Sequence, residues 1–329
     1  MSMLHPLLWL GGLIVTFAGI AHAATVDPPT IALGHPTTSI VVADYLEAGP
    51  ADRIVFERVR VVRSPVDVPE LIDLARPDLV EPLKVGKRYL LAYTVISRDK
   101  QRRMAERSRG ALFLSSPGLE PALWDFSPTN EAMLTWKIDD ELTKTRAELP
   151  NLLRMLAKSD VRQRSFAAAE IGYRPELLRS LSANEQKALA RFVTQDTSPD
   201  RARATLMSMA YSMADAAGSR RYWDSVAHRL LAKSPVLTRD RDGRTGLIMA
   251  TLAYVKVRGA RLDPRIHGRW LRSDDMSIIE SAVAALQNDS AAIAQEQISI
   301  ALGGSDLTPL GRELLEQYRQ RTAAGAVQR

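Results

Sequence analysis

Asp240-Arg241-Asp242-Gly243 carries the alternating oxygen donors and the turn glycine of a calcium loop. Such a loop also needs an oxygen ligand at its first position and a bidentate glutamate at its twelfth. Thr238 and Met249 stand at those places, so a helix cap followed by a glycine turn is the simpler reading. Asp224 and His228 are one helical turn apart, behind Tyr222 and Trp223, and a carboxylate so placed can orient an imidazole as a general base. No serine in a G-x-S-x-G elbow and no second histidine at metal-ligand spacing goes with them, and His35 and His267 are isolated in sequence. Trp223 and His228 are therefore read first as packing and a surface imidazole, and second as contact residues for a partner.

The acid clusters Asp139-Asp140-Glu141 and Asp274-Asp275 have the composition of a glycosidase pair, but each falls at an expected helix start, where acids are favoured by the helix dipole. Gly303-Gly304 lacks the strand and the further glycines of a phosphate cradle. The chain has no cysteine, which excludes disulfides, thiolate metal sites and thiol nucleophiles. No catalytic, cofactor-binding or metal-binding residue is assigned, and no cofactor is expected.

One stretch is strongly basic. Arg98, Lys100, Arg102, Arg103, Arg107 and Arg109 stand against two acids, Asp99 and Glu106, between two strand candidates. As the tip of a long hairpin it is either a solvated loop or a contact for anionic lipid, lipopolysaccharide or an acidic protein. Nucleic acid is a poor fit, because the chain reads as exported. Residues 7–21 form an apolar run shorter than a bilayer-spanning helix and lead into Ala21-His22-Ala23, a small-x-small cleavage pattern. Residues 1–23 are thus expected to be a signal peptide, cleaved after Ala23, with the mature chain periplasmic or secreted and without a transmembrane segment. The net charge of +6 favours acidic partners without naming one.

The elements that hold these groups divide the chain. At 329 residues, two domains are expected. Residues 38–46, 54–62, 85–96, 111–114 and 122–126 are rich in β-branched and aromatic residues between Gly, Pro and Ser turns, which predicts a small antiparallel barrel or sandwich over 24–137. From residue 138 the apolar spacing becomes helical, over 148–156, 161–171, 185–193, 201–213, 222–231, 245–257, 276–287, 291–302 and 309–319. An all-α domain over 138–322 and a flexible tail over 323–329 follow. Trp136, just before the first of these helices, is expected to bury the junction, and Trp124 to be core.

Val55-Phe-Glu-Arg-Val-Arg-Val-Val62, a short loop segment and Leu83-Lys-Val-Gly-Lys-Arg-Tyr-Leu-Leu91 resemble the hairpin region of netrin-like domains, OB-type small barrels of exported proteins. In the second half, Asp160, Asp200, Asp242 and Asp275 stand at expected helix starts, 40, 42 and 33 residues apart, with arginine in the first turn of several helices. That period resembles HEAT-type repeats, in which helix pairs stack into a solenoid. The resemblance implies a long surface for a protein or peptide and a non-enzymatic binding or scaffold role. The alternatives are recognition of anionic lipid or cell-wall glycan through the basic hairpin, and a carboxylate-dependent hydrolase.

Overall fold

The computed structural model describes residues 26–49, 52–77, 82–95, 111–214, 220–236, 243–258 and 263–327. The expected signal segment 1–23 and the basic stretch 98–109 lie outside the described residues. A small β-barrel comes first and a helical region follows, as the sequence pattern predicts.

Strands β1 (Thr38–Gly49), β2 (Arg53–Arg63), β3 (Leu71–Ala75), β4 (Arg88–Val95) and β5 (Ala111–Phe113) close in the order β1-β2-β3-β5-β4-β1. A short β6 (Leu123–Asp125) shares with β5 the edge of β4 that faces away from β1. The pairings are antiparallel except β3 with β5, which run parallel where Leu74 meets Ala111. β3 occupies what the sequence suggests is a loop segment. Its inward residues are only Ile72 and Leu74, and Pro69 and Pro77 flank it, so five residues of alternation leave a weak signal.

Phe56 is the hub of the barrel interior, with the rings of Tyr45, Tyr89 and Phe113 at 5.5, 6.2 and 6.4 Å. β1 and β4 are buried on both faces. Val41, Ala43, Tyr89 and Leu91 fill the barrel, while Ile40, Val42, Leu90 and Ala92 join a second core with Leu33 of α1 (Pro29–Gly34), Leu134 of α2 (Pro128–Leu134) and Phe166. Strands buried on both faces read as continuous apolar runs, and this pair does.

The helices pair and the pairs stack. α3 (Leu142–Leu156) packs on α4 (Val161–Gly172). After the short α5 (Pro175–Arg179), α6 (Ala183–Thr194) packs on α7 (Asp200–Ser208). After the short α8 (Ala210–Ala214), α9 (Arg220–Lys233) packs on α10 (Arg244–Arg258). α11 (Pro264–Gly268), with the 3₁₀ turn Arg269–Arg272, packs on α12 (Met276–Asp289), and α13 (Ala291–Leu302) on α14 (Pro309–Val327). The first members, α3, α6, α9, α11 and α13, touch in succession, and so do the second members, α4, α7, α10, α12 and α14. Two rows result, with the core between them.

Several local expectations change. The single helix expected over 201–213 is interrupted at Met209. α14 runs to Val327, five residues into the expected tail, through an alanine-rich segment that favours helix. Asp160 and Asp275 cap α4 and α12 by accepting from the amides of Gln163 and Ser277, both at 2.9 Å. Asp200 does not cap: it lies inside the first turn of α7 and accepts from Arg203 at 2.7 Å and Arg244 at 3.1 Å, an ion pair that outcompetes the free amides. Asp242 lies outside the described residues.

Buried and half-buried guanidinium groups tie successive helices together. Arg203 in α7 donates Nε to the carbonyl of Val193 at the end of α6, at 2.7 Å. Arg312 in α14 does the same for α13, donating to the carbonyls of Leu302 and Gly304 at 2.8 and 2.9 Å. Arg269 and Trp270 bind the last carbonyls of α9, Trp270 Nε1 lying 3.2 Å from that of Leu231. The last carbonyls of a helix have no partner within it, and these side chains supply one.

Candidate functional site

The densest meeting of ionisable groups is the junction of barrel and helices. Glu170 on α4 has no exposed surface. It accepts from the amide and hydroxyl of Thr30 on α1, at 3.0 and 2.7 Å, and from Nε and Nη2 of Arg174, at 2.8 and 2.5 Å. Arg174 donates its remaining Nη1 to Asp140 at 2.5 Å. Every strong donor and acceptor here is answered by protein, so this network ties α1 to α3 and α4 and offers nothing to a ligand.

Residues 114–122 of the barrel lie over α4. Gly118 has φ +82°, and a Cβ there would stand 2.7 Å from Cβ of Ala169 and 2.9 Å from the carbonyl of Ser165, so only glycine allows this approach. Trp136 stacks on Phe166, ring centres 6.4 Å apart and planes within 14°, which puts it in the junction as expected. Trp124 is buried, with the Arg162 guanidinium 5.6 Å over its ring, and Arg162 donates to the carbonyl of Pro121.

Beside this contact lies a cluster that the sequence did not flag: Glu120 is close to Arg201 and Tyr173, and Arg162 binds the carbonyl of the next residue, Pro121. Glu120 has an exposed face, yet the surrounding protein raises its pKa, with Arg201 acting in the opposite sense. Burial also raises the Tyr173 phenol, opposed by its bond with Thr205, and lowers Arg162, opposed by Asp125 and Asp160. Glu120, Tyr173 and Arg201 thus bring a carboxyl, a phenol and a guanidinium near one another. A phenol and a guanidinium can donate to the carbonyl and carboxylate oxygens of a peptide, and a carboxyl can accept from its amides. No signal in the sequence joins these four positions, because residues 120, 162, 173 and 201 come together only through the stacking of loop and helices.

The sequence-predicted contact residues are scattered. Arg98, Lys100, Arg102, Arg103, Arg107 and Arg109 lie outside the described residues, in the connection from β4 to β5. Trp223 is wholly buried, with Nε1 3.4 Å from Oε1 of Gln186 on α6, so it packs the first row and has no surface for a partner. Asp224 accepts from the Tyr254 hydroxyl at 2.8 Å, which engages the carboxylate with α10, and His228 is exposed. Asp139 and Asp140 serve Lys144 and Arg174, and the amide of Glu141 with Lys144 lowers the pKa of Asp139. Gly243, the glycine of the Asp240–Gly243 fragment, turns at φ +89° against Arg201, and Asp240 and Asp242 lie outside the described residues. Among the described residues no three His, Cys, Asp or Glu side chains gather as a metal site, and no helix is long and apolar enough to cross a membrane. Comparison with family models, with curated proteins and with solved structures found no match for the chain.

Proposed function

We propose that this chain is an exported binding or scaffold protein that holds a protein or peptide partner on its stacked helices. The observation that carries the reading is the succession of helix pairs in two rows, each row continuous from α3 and α4 to α13 and α14. Such stacking is the design of HEAT-like solenoids, whose length gives an extended binding surface. An OB-type, netrin-like reading of the barrel is supported by its five strands closing in the order β1-β2-β3-β5-β4-β1 with β3 parallel to β5. The cluster of Glu120, Tyr173 and Arg201 is the proposed anchor for a polar group of the partner, and export rests on the apolar segment and cleavage pattern of residues 1–23.

The test is affinity capture from an envelope extract with the mature chain, its start verified by N-terminal sequencing, beside a variant carrying Glu120→Lys and Arg201→Glu. One partner enriched by the wild type and depleted at least tenfold with the variant supports the proposal. Equal capture by both would place the binding surface elsewhere. A wild type that captures nothing beyond bead controls, while turning over an ester or glycoside substrate in a Glu120-dependent way, would replace the proposal with the hydrolase.

A further inference from the structure

The first row of helices carries a group of exposed cations on three successive members, α6, α9 and α11. Lys187 and Arg191 on α6, Arg221, Arg229 and Lys233 on α9, and Arg265 on α11 are all exposed. None of the six makes an ion pair with a described residue. The acids on the same helices are engaged: Glu185 binds Arg146 at 2.8 Å, Asp224 binds Tyr254, and Asp263, at the start of α11, caps the amide of Arg265 at 2.9 Å. The strip is bounded. On one side α3 mixes signs, with Lys144 held by Asp139 and Glu141, and on the other α13 exposes Glu296. By contrast Arg53, Arg60, Lys87 and Arg88 of the barrel each face an acid.

Three neighbouring helices at 8–10 Å spacing make a field about 20 Å wide. Spacing along the helices supports this: Lys187 and Arg191 are one turn apart, and Arg221 and Arg229 about two turns apart, so each pair forms a column on one face. Tyr222 donates to the carbonyl of Lys187, which sets the two columns side by side. A field of separated charges fits a surface of repeated anions better than one small ligand.

We propose that this strip of α6, α9 and α11 seats the protein on an anionic lipid surface. A protein partner is disfavoured by what the strip lacks. Protein interfaces depend on aromatic or large apolar residues at their centre, and the exposed large apolar side chains among the described residues all lie on other elements, such as Val161, Val257 and Ile300. Attraction to anionic headgroups needs only the charges, and amounts to about a fivefold gain in partitioning for each cation near the surface. The cations stand on other elements than Glu120, Tyr173 and Arg201, so either reading can fail without the other.

The experiment is cosedimentation of the mature chain with vesicles of phosphatidylcholine alone or with a third phosphatidylglycerol. The comparison is with a variant reversed at Lys187, Arg191, Arg221 and Arg229 to glutamate, and with a control reversed at Lys158 and Lys256, which lie off the strip. The expected result is binding to anionic vesicles that weakens with salt, falls at least a hundredfold in the strip variant and survives in the control. Neutralisation of Arg191 and Arg229 alone, to glutamine, serves if the fourfold reversal fails to fold, with at least a tenfold loss expected. Unchanged vesicle binding in a folded strip variant would overturn the proposal. So would a wild type that binds soluble polyglutamate but no vesicle, which would assign the strip to an acidic protein.

Discussion

The barrel and the helical rows solve the same problem of stability without cysteine in opposite ways. In the barrel, closure depends on pairings between distant parts of the chain, such as β1 with β4 and β3 with β5, and no strand can leave without opening the ring. Charge is kept outside and paired across strands, as Arg53 with Asp73 and Arg88 with Asp44, whose pKa is lowered by that bond. The rows instead take polar side chains inside and spend them on helix ends, as with Arg203 and Arg312. Each such bond joins a helix to its neighbour in the chain. A ring of this kind unfolds as a unit, whereas a stack can lose an end and keep its middle. What joins the two is Glu170, buried between α1 and α4.

That difference is broken most directly at Glu170. Glu170→Ala leaves Arg174 buried with one remaining acid, Asp140, and strips two acceptors from Thr30. Removing one partner of a buried pair typically costs about 3–5 kcal/mol. The variant should unfold in urea at a markedly lower midpoint, with the tryptophan signal and the far-ultraviolet helix signal no longer coincident as barrel and rows part company. Replacing the pair with Glu170→Leu and Arg174→Met should recover much of the loss, since an apolar pair of similar volume needs no partner. A loss under about 1 kcal/mol with one coincident transition would mean that the apolar contact of Phe166 and Trp136 alone holds the junction.

The second comparison lies within the rows. Arg203→Met leaves the Val193 carbonyl without its donor in the middle of the stack and removes the partner of Asp200, an expected cost of about 1–3 kcal/mol. Arg312→Met makes the same kind of change in the last pair, where unfolding of α14 alone relieves it. Hydrogen exchange should therefore show faster exchange across α6 to α10 for the first variant and across α13 and α14 only for the second. Equal effects at both positions would mean that the stack is as cooperative as the ring.

How much of this can be read in the sequence depends on range. Helical periodicity and caps are local, so the longer helices are legible and the return of Asp160 and Asp275 marks the second row, whereas α5 and α11, five residues each, are too short for a periodic signal. Asp200 misled because an acid one residue inside a helix has the same sequence signature as a cap, and only Arg244, 44 residues later, reveals its partner. β3 was missed because its alternation is short. The apolar runs of β1 and β4 already held the clue that helices cover the barrel, since strands half-exposed would alternate as β2 does at its start. The Glu120 cluster has no such trace: Glu120 is one acid among many until the loop carrying Gly118 lies down on α4.

The smallest expected effect concerns a polar group inside the rows that is not spent on a helix end. His267 on α11 has no exposed surface and no hydrogen-bond partner for either ring nitrogen, and Asp289 Oδ2 lies 3.7 Å from Nδ1, too far for a bond. Burial lowers its pKa from the usual 6.5, and the nearby Asp289 and Asp263 only oppose that shift in part. The unfolded chain therefore binds a proton at a pH where the folded chain does not, and stability falls with falling pH. The full stability is present above about pH 6.5, and it drops as the pH passes down from there to the folded value, by about 1.4 kcal/mol for each unit between the two. His267→Leu removes this titration and leaves an apolar side chain in an apolar place. Urea midpoints measured at pH 7.5 and pH 5.5 should converge for the variant and separate for the wild type. If the two proteins lose stability in parallel, carboxylates elsewhere set the acid response, and the rows hide no imidazole that matters to it.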